Sequence, residues 1–171
     1  MRIQFSKLFV LFALMIPLAG ISQLTPVFIP NAGQWHENIV HRMEVRNGDI
    51  YMEHDGIKFA FYDEEFFHHV HADANPDSVL KIHAFKVNFV GCDTNAVITS
   101  HDKGTALYSY YLGKDATKWA SGLTASRKLI YHELYPLINL NIYTTNEGLK
   151  YEFQVLPGGN VSDIKLDIEG A

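Results

Sequence analysis

Apolar side chains recur at every second position along much of the chain, and this period of two predicts β-strands rather than helices. Phe85, Val87 and Phe89 give the clearest example, because the residues between them, Lys86 and Asn88, are polar. Short intervals that contain Gly, Asn, Asp or Pro separate the alternating runs. The predicted strands are Asn38 to Val45, Asp49 to Glu53, Ile57 to Tyr62, Val79 to Val90, Leu149 to Val155 and Ile164 to Glu169.

The turn signals and the one-sided alternation predict how these strands are arranged. Asn47-Gly48 and Asp55-Gly56 are pairs that favour tight hairpin turns, so the first three strands are expected to form an antiparallel meander. Each strand has one polar face, which suits antiparallel sheets packed face to face. The sequence therefore predicts an all-β, antiparallel, β-sandwich-like domain, with a short helical turn between Asp115 and Ala120.

Residues 1–22 break this pattern and are typical of a cleavable signal peptide. Arg2 and Lys7 precede an uncharged apolar run from Leu8 to Ile16, and a helix breaker and small residues follow that run. We expect the mature chain, residues 23–171, to be a single domain that is exported by way of the periplasm to the cell surface or the extracellular medium. No later apolar stretch has the length that a bilayer requires, so a transmembrane segment in the mature chain is not expected.

Composition narrows the classes of partner and the source of stability. The formal net charge is -5 and Lys and Arg are not clustered, which argues against nucleic acid as a partner. The chain has one cysteine, Cys92, so an intrachain disulfide is excluded and stability must come from burial and hydrogen bonding. No sequence signature of a cofactor site is present.

Six short motifs, spread over nearly the whole predicted mature chain, carry a resemblance to a known family. The motifs are Asn31–Trp35, His83–Phe89, Tyr110–Asp115, Lys118–Ser121, Leu134–Pro136 and Leu149–Phe153. In order and spacing they resemble an uncharacterised N-terminal β-rich domain of secreted multidomain Bacteroidetes proteins, the DUF7948-like family.

The resemblance implies a context rather than an activity. In such proteins the domain often precedes SBBP-type β-propeller repeats or PKD and immunoglobulin-like modules, and a C-terminal signal for type IX secretion is frequent. The family pattern normally continues into further strands beyond the equivalent of Gly170 and Ala171, so the chain is expected to be a fragment or a truncated member. The partners implied are other modules of the same exported chain, surface proteins or glycans.

A group of histidines offers one candidate site. In an extended segment His69 and His71 lie on the same face, a spacing that lets two imidazoles bind one metal ion. Together with His68 and Asp73 they could hold Zn²⁺ or Cu²⁺. The segment is the longest polar loop of the sequence and lacks a helical His-x-x-x-His pattern, so a solvated loop with incidental histidines is the favoured interpretation.

Aromatic residues offer a second candidate site, for carbohydrate. Exposed rings on a β-sandwich can stack against the apolar faces of sugars while nearby polar groups bind the hydroxyls. Trp35, Tyr110, Tyr111 and Trp119, with Tyr108 nearby, are the residues that could do so. The favoured interpretation is that the tryptophans are core or rim residues that hold loops against the sandwich.

Support for catalysis is weak, and two short motifs concern modification instead. A Gly-x-Ser-x-Gly nucleophile elbow is absent, and the carboxylates fall on polar strand positions, so an enzyme is not expected. Asp77-Ser78-Val79 resembles the tripeptide that Bacteroidetes O-glycosylate in the periplasm, which makes Ser78 a candidate acceptor. Asn160-Val161-Ser162 matches the eukaryotic N-glycosylation sequon.

These observations predict an exported, non-catalytic module with a structural or interaction role in a larger surface protein. A carbohydrate-binding module is the first alternative. A metal-binding protein or an enzyme that uses the histidines from His68 to His71 is the second.

Overall fold

The computed structural model describes residues 26–63, 80–146 and 148–171, and most of these residues lie in an antiparallel β-sheet. Within these ranges the strands are Phe28–Pro30 (β1), Ile39–Val45 (β2), Gly48–Glu53 (β3), Gly56–Tyr62 (β4), Ile82–Phe89 (β5), Ile98–Tyr110 (β6), Ala120–Tyr135 (β7), Ile138–Thr145 (β8), Gly148–Val155 (β9) and Leu166–Glu169 (β10). Two single 3₁₀ turns, Ala116–Lys118 and Val161–Asp163, lie in loops. The prediction of an all-β antiparallel fold is confirmed.

The two layers belong to one continuous sheet that curls on itself, rather than to two separate sheets. Its strand order is β10-β5-β4-β3-β2-β1-β7-β8-β9, and β6 pairs with the other side of β7. The short strand β1 links the halves, because Phe28 pairs with Met43 of β2 and also with Ser126 of β7. The three residues of β1 therefore join the meander β2–β5 to the longer strands that follow it.

The hydrophobic core lies between these two halves. Tyr131 of β7 is completely buried, its hydroxyl donates a hydrogen bond of 3.0 Å to the backbone oxygen of Glu53 in β3, and its ring meets that of Phe89 in β5 edge-on at 6.1 Å. Burying one such large side chain contributes roughly 1.5–3 kcal/mol. The other large, fully buried hydrophobic residues are Tyr135, Phe28, Met43, Met52, Leu129, Leu134, Ile138, Leu140 and Ile142.

The meander β2–β3–β4 is present as predicted, but its turns lie one residue earlier than expected. Arg46 and Asn47 form the first turn and His54 and Asp55 the second, while Gly48 and Gly56 already belong to strands. A side chain on Gly48 would collide with the backbone of β4, and one on Gly56 would collide with the backbone of β5. Both glycines are therefore required by the close approach of neighbouring strands rather than by turn geometry.

The curl leaves a seam between the two ends of the strand order, β9 and β10. Within the described residues no strand pairs with the outer edge of either one. Tyr151 and Ile168 border the seam and are 57% and 59% exposed, and a largely apolar groove of about 180 Å³ lies between the two strands. One end is closed, because the Tyr135 hydroxyl and the Val90 N–H both donate to the backbone oxygen of Lys165.

Strands β6 and β7 form the longest ladder of the sheet and were not among the predicted strands. Asp102 interrupts β6 with φ = 54°, and the register of the β6–β7 pairing shifts between Lys103 and Leu107. The predicted signal peptide lies outside the described residues. No helix in the described part of the chain has the length and apolar character needed to cross a bilayer.

Candidate binding surface

The loop after β1 is closed by the side chain of Asn31. Its Oδ1 accepts hydrogen bonds from the N–H groups of Gly33 (3.0 Å) and Trp35 (3.2 Å), and its Nδ2 donates to the backbone oxygens of His36 (2.9 Å) and Ile39 (2.8 Å). A short polar side chain that satisfies four backbone groups of its own loop acts as an internal brace. Trp35 is thereby fixed at the start of β2.

The side chain of Gln34 stabilises the same loop through hydrogen bonds to its backbone. It is buried, its Nε2 donates to the backbone oxygen of Pro30 at 2.8 Å, and its Oε1 accepts from the N–H of Ala32 at 2.6 Å. Buried amides of this kind are stable only when their donors and acceptors are paired. The Asn and Gln of the Asn31–Trp35 motif thus determine the loop conformation that presents the tryptophan.

Trp35 contacts two side chains that come from different strands. The ring of Tyr110, at the end of β6, meets it edge-on with centroids 5.1 Å apart, and the guanidinium carbon of Arg42 lies 5.6 Å from its centroid. Aromatic edge contacts and cation–π contacts at these distances are each worth about 0.5–1.5 kcal/mol. The half-buried Trp35 therefore joins the loop to both β2 and β6.

A buried carboxylate holds Arg42 in this position. Asp49 Oδ1 accepts from Arg42 Nε and Nη2, both at 2.6 Å, while Oδ2 accepts from the hydroxyls of Tyr51 (3.3 Å) and Tyr62. The hydrogen bond to Asp49, followed by burial, raises the pKa of Tyr62 well above its usual value. Burial, followed by the charge of Asp49, raises the pKa of Tyr51, so both phenols remain protonated donors.

This arrangement makes Asp49 a positioning group rather than a general base. All of its hydrogen bonds are charge-assisted, and its two oxygens already accept from a guanidinium and two phenols. A pocket of about 290 Å³ opens beside it, bordered by Arg42, Asn47 and Tyr62. We call the set of Trp35, Arg42, Asp49, Tyr62 and Tyr110 the Trp35 corner.

A second aromatic pair follows directly in sequence. Tyr111 and Trp119 meet edge-on with centroids 5.6 Å apart and are 63% and 45% exposed. The indole N–H of Trp119 donates to the backbone oxygen of Gly113 at 3.4 Å. Asp115 caps the intervening 3₁₀ turn by accepting from the N–H (3.0 Å) and the hydroxyl (2.6 Å) of Thr117. We call residues 111–119 the Trp119 loop.

The structure thus places the four predicted aromatic residues in two ring pairs, joined by the peptide bond between Tyr110 and Tyr111. Trp35 is half-buried and contacts Arg42 and Tyr110, whereas Trp119 exposes much of its ring. The predicted metal ligands His68, His69, His71 and Asp73 and the predicted acceptor Ser78 lie outside the described residues, so these remain predictions.

One buried pair has the residue types of a hydrolase dyad but not its arrangement. His41 Nε2 lies 3.0 Å from Ser100 Oγ, and burial lowers the pKa of His41 to about 4. A nucleophilic serine needs an accessible hydroxyl and a base that a third group orients. His41 is only 5% exposed, and within the described residues its Nδ1 has no hydrogen-bond partner. The pair therefore gives no support to nucleophilic catalysis.

Sequence reasoning missed the charged part of the Trp35 corner, although a signal for it was present. Once Arg46 and Asn47 are taken as a two-residue turn, Glu44 lies opposite Asp49, and Arg42 lies two residues before Glu44 on the same face. Diagonal pairs of this kind are within reach of a long side chain. The predicted hairpin could therefore have identified the ion pair of Arg42 and Asp49.

The comparisons with known proteins identify a family without an assigned role. A family model described as a domain of unknown function, DUF7948, matches residues 28–171. No curated protein and no solved structure matches the chain. The match covers every strand of the sheet, including all residues of the Trp35 corner and the Trp119 loop.

Proposed function

Because this chain belongs to DUF7948, a family of domains of unknown function, we propose its role from its sequence and geometry: it is an exported, non-catalytic module that binds other molecules at the cell surface. The buried Asp49 carboxylate is engaged in holding the fold, and His41 Nε2 contacts Ser100 Oγ. The exposed rings of the Trp119 loop are available to a ligand. This contrast between occupied polar groups and free aromatic surface supports binding over catalysis.

The ligand class that the surface suits best is a carbohydrate. Tyr111 and Trp119 present aromatic area on a loop that is braced by its own hydrogen bonds, so little flexibility would be lost on binding. Sugar rings stack on such surfaces through their apolar faces, and polar groups next to the rings bind their hydroxyls. The pocket beside Asp49 in the neighbouring Trp35 corner is bordered by such groups, Arg42 and Asn47. The exposed pair of Tyr111 and Trp119 is the observation that carries the proposal.

Tryptophan fluorescence tests this proposal, because the chain has two tryptophans, one in each region. In a Trp35→Phe variant all indole emission comes from Trp119, and titration with soluble polysaccharides and oligosaccharides is expected to quench or shift it. Tyr111→Ala is expected to abolish the response. Tyr151→Ala is the matched control, since Tyr151 is similarly exposed but lies at the seam.

Two outcomes would refute carbohydrate binding at this surface. The first is an unchanged emission of Trp119 across a broad panel of plant, bacterial and host polysaccharides. The second is an equal loss of response in Tyr111→Ala and Tyr151→Ala, which would place the effect outside the Trp119 loop. Either result would leave protein surfaces, including other modules of the same exported chain, as the partner class to examine.

Export is tested separately on the native product. We expect the chain recovered from producing cells to begin at Gln23 and to be accessible to protease added outside intact cells. Intact mass measurement then also reports on Ser78, because O-glycosylation would add the mass of a glycan. A product that retains Met1, or one that only lysis makes accessible to protease, would contradict export.

A further inference from the structure

Two histidines converge on one hydroxyl group on the β6–β7 ladder, far in sequence from the predicted histidine cluster. Thr99 and His101 are two residues apart on β6 and therefore share a face. Thr99 pairs with Ile130 of β7, and His132 follows Ile130 on that same face. Both histidines are exposed, so solvent and small ions reach them.

Each of the two imidazoles places its Nε2 atom beside the hydroxyl oxygen of Thr99. His101 Nε2 and His132 Nε2 each lie 2.8 Å from Thr99 Oγ1, so the two nitrogens are at most twice that distance apart. The threonine hydroxyl has a single hydrogen, so one imidazole accepts it and the other donates its own N–H to the oxygen. The site thus brings two Nε2 atoms from different strands to a common centre.

From this convergence we propose that His101 and His132 bind a divalent first-row transition-metal ion, with Cu²⁺ bound more tightly than Zn²⁺. Imidazole nitrogen is a preferred ligand of these ions, at about 2.0–2.1 Å, and the Irving–Williams order places Cu²⁺ above Zn²⁺ for a given nitrogen site. The ion takes the position between the rings once the Thr99 hydroxyl turns aside. Water fills the remaining coordination positions.

The strands hold the two ligands in place. Ile98, Thr99, Ser100 and His101 pair in regular register with β7, so the backbones that carry the two imidazoles are fixed relative to each other. Small rotations of two exposed side chains are then sufficient to bring both nitrogens onto one ion. Lys128 lies opposite His101 in the register, and its positive charge disfavours a bound cation. Its flexible stem lets the ammonium move away toward solvent.

The site differs in kind from a closed structural zinc site. Across residues 26–63, 80–146 and 148–171 no three His, Cys, Asp or Glu side chains come together in a metal-binding group. Two protein ligands and several waters give a moderate, open site rather than one on which folding depends. Metal binding is therefore expected to leave the fold unchanged and to be reversible by a chelator.

The test is Cu²⁺ binding to the full chain without an affinity tag, measured by competition with a chromogenic chelator and by electron paramagnetic resonance. We expect one equivalent of Cu²⁺ bound with moderate affinity, with hyperfine coupling to two imidazole nitrogens. His101→Ala and His132→Ala are each expected to weaken binding at least tenfold. His54→Ala, which removes an exposed imidazole elsewhere, and Thr99→Val, which removes only the hydroxyl, are expected to keep it.

A variant that lacks His68, His69 and His71 separates this site from the sequence-predicted one. We expect that triple variant to retain the bound equivalent and the two-nitrogen signal. Loss of binding in the triple variant, with unchanged binding in His101→Ala and His132→Ala, would overturn the proposal. Circular dichroism of each variant confirms that the fold is intact before its affinity is compared.

Discussion

The Trp35 corner and the Trp119 loop contain the same kinds of side chains, but these side chains have different partners and different exposure. Each contains an edge-on aromatic pair and a carboxylate that accepts several hydrogen bonds. Asp49 is buried and joins side chains from β2, β3 and β4, whereas the carboxylate of Asp115 is fully exposed and accepts from Thr117, two residues away. The difference teaches that partners from three strands make one cluster part of the fold, whereas a local partner leaves the other cluster as an exposed surface, the one proposed to bind a ligand.

The largest expected effect comes from the buried carboxylate. Asp49→Asn leaves Arg42 largely buried without its counter-ion, and breaking a pair of this kind costs on the order of 3 kcal/mol of the free energy of unfolding. Urea denaturation measures the loss. Asp115→Asn is the matched change in the Trp119 loop, and we expect a much smaller effect there. Equal losses in the two variants would contradict the proposed difference between the regions.

The second effect is a dependence of stability on pH, which arises from His41 beside Arg42 on β2. Burial lowers the pKa of His41 to about 4, whereas the unfolded chain binds the proton near the usual value of about 6.5. The unfolded state therefore gains protons first as the pH falls. The free energy of unfolding is expected to decrease by about 3 kcal/mol between pH 6.5 and pH 4, and to level off below that range.

Comparison of unfolding curves across this pH range isolates the contribution of His41. His41→Gln removes the titrating group and is expected to flatten the curve, while His54→Gln removes an exposed imidazole and should leave it steep. A slope that survives in His41→Gln would assign the pH dependence to other groups.

A smaller effect is expected from the tyrosine hydroxyls. Tyr62→Phe removes a hydrogen bond to a charged group, which is worth about 1.5 kcal/mol, and leaves Asp49 with one donor fewer. Tyr111→Phe removes a hydroxyl from a largely exposed side chain and is expected to change stability by less than about 0.5 kcal/mol. Thermal unfolding of the two variants side by side checks the contrast. A Tyr62→Phe melting temperature equal to that of the parent would show that the hydroxyl adds nothing to the corner.

A small effect on stability is also expected from truncation of Trp119, the other exposed ring of the Trp119 loop. Trp119→Ala should change the free energy of unfolding by less than about 1 kcal/mol, because its ring packs mainly on Tyr111 and is 45% exposed. Its effect on carbohydrate binding should nevertheless be large. Chemical denaturation and a binding titration on one preparation compare the two. A variant that unfolds would show that Trp119 belongs to the fold.

The strands that sequence patterns predicted are those in which apolar residues occupy every second position. In β4, Ile57, Phe59 and Phe61 alternate with Lys58, Ala60 and Tyr62, and the structure pairs this strand with β3 and β5 as the alternation requires. In β6 the run from Thr99 to Thr105 is almost entirely polar and contains the irregularity at Asp102. A strand with neither alternation nor a constant register leaves no periodic signal.

The sequence identified the aromatic residues of the candidate binding surface, but it did not show which rings contact each other. The aromatic residues stand out from the sequence by type alone. Their pairing depends on which residue of β7 faces Tyr110, and the register of β6 shifts twice before that point. The two-histidine site was missed because β6 and β7 were not among the predicted strands, and His101 and His132 become neighbours only through the β6–β7 ladder.

The position of β10 at the seam affects how the sheet folds while the chain is being synthesised. β10 is the last strand of the described chain, yet it pairs with β5, where Leu166 faces Phe89 and Ile168 faces Val87. Contacts between segments so distant in sequence form slowly, and domains emerge from the ribosome with their N-terminal part first. Until residue 166 has been synthesised, the outer edge of β5 has no strand to pair with, and the nascent sheet exposes a template for mispairing.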